Sequence, residues 1–303
     1  MLHRSVSWYT SHNTVSTISS QTEHQYPDTF FGRFANWLTG WGKSVLDNVI
    51  ALGDFGLFVF RMFGWMLRRG PKPETLWPNF HTVGVLSLPV VALTGTFIGM
   101  VLAVQSNFQF KQLGLETRLG AVINMTLVRE LGPVLAATML AGRVGSAMAA
   151  ELGTMRVTNQ IDALEAMGAD PIHYLVVPRF IACLLLIPTL TIMADFMGVA
   201  GGHIYSVWIL DIDVHHYMSN SAKFVTVFDL GVGLFKSLFF GAAIAMVSCY
   251  QGFHCAAGAE GVGRASTASF VYSFVMILVL DLFLGITLDA IYLSLFPEGA
   301  RLF

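Results

Sequence analysis

The sequence predicts an all-α integral membrane protein with an N-terminal interfacial amphipathic helix, five transmembrane helices and one short cytoplasmic helix. Two observations lead to this fold class. Of the 303 residues, 54% are hydrophobic and only 12% are charged, whereas about 25% of an average soluble domain is charged. Long apolar segments also recur along the chain, and several reach the roughly 20 residues that a helix needs to cross the hydrocarbon core.

The charge balance and the cysteine count exclude two other classes of protein. The formal net charge is −2, so no excess of basic side chains is available to neutralise a phosphate backbone. Nucleic-acid binding is therefore excluded as the main role. Cys183, Cys249 and Cys255 are too few and too scattered for a disulfide framework, and we expect them to be free thiols.

The N-terminal quarter divides into a polar tail and an interfacial region. Residues 1–29 lack the apolar core of a signal peptide, and we expect a disordered tail there. In residues 30–75, aromatic and apolar residues recur at helical spacing with charged residues between them, which is typical of an amphipathic helix in the headgroup plane. The apolar run 55–67 has only 13 residues and contains Arg61, which predicts that it is too short to span.

Residues 76–303 form the predicted membrane domain. Its five predicted spans cover about residues 82–104, 119–150, 171–210, 225–250 and 266–295. Basic residues in short loops are retained in the cytoplasm, and a cytoplasmic N-terminus places most of the 17 Lys and Arg residues on that side. The pattern therefore predicts a cytoplasmic N-terminus and a C-terminus on the outer side.

Small residues form stripes on three of the predicted spans. Such stripes let helices approach closely in lipid, and they serve either packing within one bundle, which we favour, or dimerisation. The stripes comprise Gly95 and Gly99 in the first span, Gly142, Gly145, Ser146, Ala149 and Ala150 in the second, and Gly198, Gly201 and Gly202 in the third.

The segment 151–170 between the second and third spans predicts a short amphipathic helix in the cytoplasm. Its apolar positions recur at helical spacing, at Val157, Ile161, Leu164 and Met167. Gly168 and the Asp170-Pro171 pair predict its C-terminal end. The helix either lies on the bilayer or binds a protein partner. Its acidic residues fit an anionic leaflet poorly, which favours the partner.

Six of the ionisable residues inside the predicted spans are candidates for a functional role, because a charge at the helix centre costs at least about 2.5 kcal/mol on insertion scales. Two interpretations are open for them. They form pairs between helices, for instance Lys236 with Asp281 or Asp289, or they form a polar ring that lines a cavity. The six residues are Arg129, Glu130, Asp195, Lys236, Asp281 and Asp289.

The sequence offers no clear site for nucleotide or metal chemistry. The string WGKS at 41–44 lacks the first glycine of a phosphate loop, because position 37 is Trp37. Cys249, His254 and Cys255 match no common metal-site spacing. We therefore expect no cofactor or metal in this chain and an energy source elsewhere.

Several strings resemble the MlaE (YrbE) family of permeases over about residues 45–296. They are LVRELGP (127–133), AGRVGSA (141–147), AELGTMRV (150–157), QIDALE (160–165), MGADP (167–171) and GAEGVGRA (258–265). The resemblance implies the permease subunit of an ABC transporter that moves phospholipids between the inner and outer membranes of a bacterium. It also implies a homodimer, a separate cytoplasmic ATPase that binds ATP and Mg²⁺, a periplasmic MCE-domain protein and, in some systems, a STAS-domain protein.

The resemblance also implies roles for particular residues. The cytoplasmic segment would be the coupling helix that contacts the ATPase, through Glu151, Gly153, Arg156, Gln160, Asp162, Glu165, Gly168 and Asp170. Polar side chains would line the lipid pathway, at Asn107, Arg129, Glu130, Lys236 and Asp281. An apolar lipid pocket would be formed by Phe97, Met100, Val101, Val104, Phe108 and Leu131. Without the resemblance, we would expect these apolar residues to face bulk lipid.

Two other functional classes stay open from the residues alone. An ion-coupled secondary carrier of another amphipathic substrate would also use buried carboxylates, although such carriers often contain internal repeats, and we find none here. A membrane-embedded enzyme would need clustered nucleophiles or metal ligands. The histidines are instead dispersed, and His215-His216 is the single adjacent pair.

Overall fold

The computed structural model describes residues 30–68, 70, 73–114 and 119–295, and every regular element in that part of the chain is helical. The predicted tail 1–29 lies outside the described residues. The all-α fold is therefore confirmed for the part that the structure describes. The helices are α1 (Phe30–Arg68), α2 (Pro73–Val83), α3 (Leu88–Leu113), α4 (Leu119–Thr126), α5 (Gly132–Leu140), α6 (Ser146–Val157), α7 (Gln160–Ala166), α8 (Val177–Trp208), α9 (Val214–Phe224), α10 (Val227–Phe253) and α11 (Gly258–Leu295).

Six helical segments of the described chain are long and apolar enough to cross a membrane, which makes this a multi-pass membrane protein. Each of the five predicted spans overlaps one of them. The segments are Val49–Arg68, Pro73–Gln112, Leu119–Val157, Ile172–Trp208, Val227–Phe253 and Gly258–Tyr292.

The prediction for residues 55–67 is wrong about length. These residues belong to the single helix α1, whose apolar part, Val49–Arg68, has 20 residues and therefore reaches the length of a span. The sequence pattern placed the start too late, because Asp54 interrupts the apolar run without ending the helix. Length therefore admits a sixth span.

The chain divides into two compact units, with the boundary along the sequence between Leu57 and Phe58, and the helical bundle described below belongs to the second unit. The predicted division at residue 75 stays a prediction. Within the second unit, Phe58 and Met62 are buried, and the ring of Phe58 packs against Tyr250 and Phe253 at centroid distances of 5.7 Å.

Helix α8 lies at the centre of the bundle and packs against α2, α3, α5 and α10. Its contact with α3 depends on glycine, because a Cβ on Gly99 would lie 1.9 Å from the carbonyl oxygen of Gly198. A Cβ on Gly201 would lie 2.3 Å from the carbonyl oxygen of Thr96. The small residues of the first and third spans therefore serve packing within one chain, as the favoured interpretation predicted.

The segment 151–170 is not one helix. Residues 151–157 are the last two turns of α6, a turn follows with Asn159 in the left-handed region at φ 56°, and α7 then has only seven residues. Asn tolerates this conformation better than most residues, so the chain changes direction there. Consequently Val157 precedes the turn, and Met167 is 74% exposed rather than part of a buried face.

The predicted end of the segment is confirmed. Gly168 follows α7 at φ 79°, a conformation that glycine adopts without steric cost. Oδ1 of Asp170 then accepts hydrogen bonds from the backbone N–H groups of Ile172 at 2.9 Å and His173 at 3.2 Å. These bonds begin the next membrane helix.

In the part of the chain that the structure describes, three single π-helical turns occur in the membrane segments: Leu127–Leu131 and Ala141–Gly145 lie between α-helical stretches, and Ile172–Val176 directly precedes α8. A π turn places one extra residue in a helical turn and often marks a functional site. The first of these turns contains Arg129 and Glu130.

Candidate functional site: an ion-pair cluster among the membrane helices

Lys236 is the centre of the first half of the cluster. Its side chain is 0% exposed and lies on α10, where Nζ donates to Oε2 of Glu130 at 2.6 Å and to Oδ1 of Asp281 at 3.0 Å. A charge without a partner would be costly inside an apolar bundle. Two carboxylates from two other elements therefore compensate this ammonium.

Arg129 is the centre of the second half. Its guanidinium forms an ion pair with Asp289 of α11 and lies 3.6 Å from Oδ1 of Asp229 in the first turn of α10. The guanidinium carbon is also 5.8 Å from the centroid of the Tyr292 ring, within cation–π range. Arg129 therefore connects its own turn, Leu127–Leu131, to α10 and α11, and the Lys236 pairs connect the same three elements through different partners.

Asp229 is held in place by the start of its own helix. Its Oδ2 accepts hydrogen bonds from the backbone N–H of Thr226 at 2.9 Å and from the Thr226 hydroxyl at 2.7 Å. The Thr226 hydroxyl in turn accepts from the Asp229 N–H. This reciprocal capping box fixes the carboxylate that faces Arg129.

Adjacent residues on a helix point in different directions, and the sequence therefore predicts that Arg129 and Glu130 contact different neighbours. The partner residues do differ, because Arg129 binds Asp229 and Asp289, whereas Glu130 binds Lys236, but Asp229 and Lys236 both lie on α10, so the two side chains share one neighbouring helix.

The two halves are layers at different depths. Asp229 and Lys236 are seven residues apart on α10, about 10 Å along the axis. Asp281 and Asp289 are eight residues apart on α11, about 12 Å. One layer, formed by Asp229, Arg129 and Asp289, therefore lies near the start of α10 and the end of α11. The Lys236 layer lies farther from these two helix ends.

The cluster lies at the opposite end of the bundle from α7. Helices α10 and α11 are joined by the short connection 254–257, far along both helices from Asp229 and Asp289. Gly153 of α6 packs against that connection, since a Cβ on it would lie 3.1 Å from Sγ of Cys255. The end of α6, and α7 after it, therefore belong to the far end.

Two carboxylates of the cluster are accessible in the single chain. The side chains of Glu130 and Asp289 are 42% and 57% exposed. A carboxylate on a membrane helix is unfavourable against lipid tails, so these exposed groups call for water, a second subunit or a ligand. The cluster is therefore not completely buried in the single chain.

The hydrogen bonds and ion pairs of the described residues join four of the five predicted polar residues, namely Arg129, Glu130, Lys236 and Asp281. None of them includes Asn107, which is half-buried on α3. Asp195 also lies apart, on α8, where its carboxylate occupies the space that a side chain at Gly132 would need.

The predicted apolar pocket residues divide between two elements. Four of them line one exposed face of α3, at Phe97, Val101, Val104 and Phe108. Met100 on the same helix and Leu131 at the end of the π turn are half-buried. The α3 face is thus open to an apolar partner.

At the end of the bundle opposite the cluster, two ion pairs connect predicted coupling residues to neighbouring helices. Nη1 of Arg156 donates to Oδ1 of Asp162 at 2.6 Å and joins α6 to α7. Nη2 of Arg179 lies 3.0 Å from Oε1 of Glu151 and joins α8 to α6. Gln160 and Glu165 are exposed on α7, whereas Gly153 is buried.

Helix α9 packs against α4 at the cluster end of the bundle. The side chain of Tyr217 is 1% exposed and packs on Gly120 of α4, and its hydroxyl donates to Oδ1 of Asn124 at 3.3 Å. Burial raises the pKa of Tyr217 to about 12, although the hydrogen bond to Asn124 opposes the shift. The phenol therefore stays neutral at physiological pH.

Asp229 is the cluster residue that the sequence prediction missed, and the signal was present. Thr226 followed by Asp229 three residues later is a capping-box pattern at the start of the fourth span. Of the two partners predicted for Lys236, the structure confirms Asp281, whereas Asp289 pairs with Arg129. The free state of the three cysteines is confirmed. Among the described residues, no group of three or more His, Cys, Asp or Glu side chains is positioned to hold a metal.

Comparison with known proteins assigns this architecture to a family. The family profile described as "Permease MlaE" matches residues 76–287. A probable ABC transporter permease protein of Rickettsia felis is 41% identical over 238 residues, covering 78% of this chain and 92% of that protein. A probable ABC transporter permease protein of Synechocystis is 44% identical over 207 residues, covering 68% and 79%. The intermembrane phospholipid transport system permease protein MlaE of Haemophilus influenzae is 35% identical over 256 residues, covering 82% and 96%.

The profile match extends over the first four predicted spans and most of the fifth, and it includes the π turn with Arg129 and Glu130 and the segment around α7. With this coverage by both the family profile and the relatives, the chain belongs to the MlaE permease family.

Proposed function

We propose that this chain is the permease subunit of an ABC transporter that moves phospholipids between two membranes, driven by ATP hydrolysis in a separate subunit. The observation that carries this proposal is the ion-pair cluster with its exposed Glu130 and Asp289 carboxylates on membrane helices. A lipid headgroup needs polar groups at this depth, while its acyl chains need an apolar surface such as the open face of α3. The names of the relatives favour the same function.

The partners follow from the two ends of the bundle. The exposed α7, with Asp162 and Glu165, would contact the cytoplasmic ATPase, which would hold ATP and Mg²⁺. A second copy of the chain would complete the lipid cavity, and the largely exposed helix α11 offers one surface for it. We further propose a periplasmic MCE-domain protein at the cluster end and, in some systems, a STAS-domain protein beside the ATPase.

We also propose an orientation in the bacterial inner membrane. The α7 end would be cytoplasmic and the cluster would lie in the outer half of the membrane. The N-terminus would be cytoplasmic and the C-terminus periplasmic, with α1 lying along the cytoplasmic interface rather than crossing. Basic residues on the α7 side, including Arg156, Arg179 and Arg264, support this orientation.

Affinity purification of the tagged chain from its native membrane tests the proposal against an ion-coupled carrier or an enzyme. We expect an ABC ATPase to co-purify, and we expect the double substitution Asp162→Lys and Glu165→Lys to reduce its recovery. Charge reversal at Glu260, an exposed cytoplasmic carboxylate paired with Arg264, is the matched control. Failure to recover any ATPase with the unaltered chain would contradict the proposal.

A further inference from the structure

The cluster contains more acidic than basic side chains. Among the described residues it joins two cations, Arg129 and Lys236, to four carboxylates, Glu130, Asp229, Asp281 and Asp289. At formal charges the cluster is therefore anionic, with a net charge of −2. An anionic site repels a ligand that brings only negative charge.

One ion pair of the cluster is accessible to a ligand. Lys236 is 0% exposed and is held between two carboxylates, so it cannot be reached without opening the bundle. The Arg129 and Asp289 side chains are 18% and 57% exposed. Asp229 is fixed by its capping box with Thr226. Asp289 is therefore the carboxylate that can separate from the Arg129 guanidinium.

When the Arg129–Asp289 ion pair opens, the Arg129 cation and the Asp289 anion each need a new partner. A zwitterionic headgroup supplies both counterparts, because its phosphate can bind the Arg129 guanidinium while its ammonium binds the Asp289 carboxylate. Every charge is then paired again. A headgroup with phosphate but no amine would leave Asp289 without a partner among the membrane helices, which is costly.

We propose that the Arg129–Asp289 pair selects zwitterionic phospholipids, with the phosphate on Arg129 and the headgroup ammonium on Asp289. This inference rests on the proposed function, since it names the lipid class that the same site takes. The selection is by charge exchange, so it does not depend on the acyl chains.

The test is lipid retention by the full chain. The chain is reconstituted into vesicles of phosphatidylethanolamine and phosphatidylglycerol in equal amounts, with identical acyl chains, and then extracted in mild detergent. Mass spectrometry measures the ratio of the two lipids retained. We expect phosphatidylethanolamine to exceed phosphatidylglycerol by about fivefold, the equivalent of one exposed ion pair of roughly 1 kcal/mol.

Three variants isolate the role of Asp289. The near-isosteric Asp289→Asn removes the charge from an exposed side chain and should bring the ratio close to one without loss of folded protein. Asp289→Glu should keep the preference. Glu260→Gln, at the exposed pair with Arg264 on the cytoplasmic side, removes a carboxylate outside the cluster and should leave the ratio unchanged.

The outcomes separate this inference from the proposed function. Retained lipid with a ratio near one, a preference for phosphatidylglycerol, or a preference that survives Asp289→Asn would overturn the selection while phospholipid binding stands. No retained phospholipid of either class would contradict the proposed function as well.

Discussion

The guanidinium Nη2 of Arg179 lies 3.0 Å from Oε1 of Glu151, and this pair joins the start of the central helix α8 to the end of α6. The Arg179 side chain is only 6% exposed, whereas that of Glu151 is 62% exposed. The Arg156–Asp162 pair continues from α6 to α7. Two ion pairs therefore connect the proposed ATPase contact with the helix that packs against most of the bundle.

If this connection transmits movement of α7, breaking it should uncouple ATP hydrolysis from transport. We expect Glu151→Gln to lower the amount of phospholipid moved per ATP hydrolysed, while the ATPase still co-purifies. The charge exchange Glu151→Arg with Arg179→Glu should restore part of the ratio. Parallel assays of lipid transfer and phosphate release measure it, with Glu260→Gln as the control. An unchanged ratio in Glu151→Gln would show that the pair only stabilises the fold.

The buried Lys236 allows structural and functional roles of the cluster to be separated. Lys236→Met leaves Glu130 and Asp281 facing each other without a cation, and we expect it to lower the free energy of unfolding by about 3 kcal/mol. The triple variant Glu130→Gln, Lys236→Met and Asp281→Asn removes all three charges and should recover most of that stability. Unfolding of the purified chain in mixed micelles measures both values.

Transport by the same triple variant is the informative comparison. If the cluster lines the lipid pathway, the variant should fold and bind the ATPase but move little lipid. If the triple variant is stable and transports lipid at the wild-type rate, the cluster serves only to stabilise the fold.

The glycine contact between α3 and α8 should not tolerate a methyl group. A Cβ on Gly99 would lie 1.9 Å from the Gly198 carbonyl oxygen, whereas a Cβ on Gly142 would meet the Phe270 ring at 3.5 Å, an ordinary contact. We expect Gly99→Ala to destabilise the chain by about 2 kcal/mol and Gly142→Ala to change stability by less than about 0.5 kcal/mol. Thermal unfolding measures the stability of the two variants. Equal stability would show that α3 and α8 can move apart to accommodate a methyl group at no cost.

The sequence predicted the membrane helices well, because the need for about 20 apolar residues leaves a strong signal in the composition. It also named Asp281 as a possible partner of Lys236, since unpaired charges in spans are rare. The π turns left no such signal. A π turn adds one residue to a helix without changing the apolar composition, so the π-helical backbone at Arg129 and Glu130 was visible only in the structure.

Two other differences arose from local backbone chemistry. The break at Asn159 interrupts an apolar spacing that continues from Val157 to Met167, so periodicity alone favoured one helix over two. Asp229 escaped notice because it lies in the first turn of its span, where an acidic residue is also expected as a cap. Its contact with Arg129 is a tertiary one that spacing along the chain does not reveal.

The number of spans can be tested by labelling. In a background without Cys183, Cys249 and Cys255, we expect single cysteines at Lys111 and Lys223 to react from the periplasm and those at Arg156 and Arg264 from the cytoplasm. A cysteine at Lys43 should react from the cytoplasm if α1 lies in the interface. Periplasmic labelling at position 43 would show that Val49–Arg68 crosses, and periplasmic labelling at position 156 would invert the proposed orientation.

ATP-dependent transfer of phospholipid from proteoliposomes tests the permease function most directly. The wild-type chain is reconstituted with its co-purifying ATPase, and the lipid that leaves the vesicles for an acceptor is measured with and without ATP. We predict transfer that requires both the ATPase and ATP hydrolysis and that falls to background in the triple cluster variant. Transfer that proceeds without the ATPase and follows an imposed ion gradient would contradict the ABC permease and support the ion-coupled carrier.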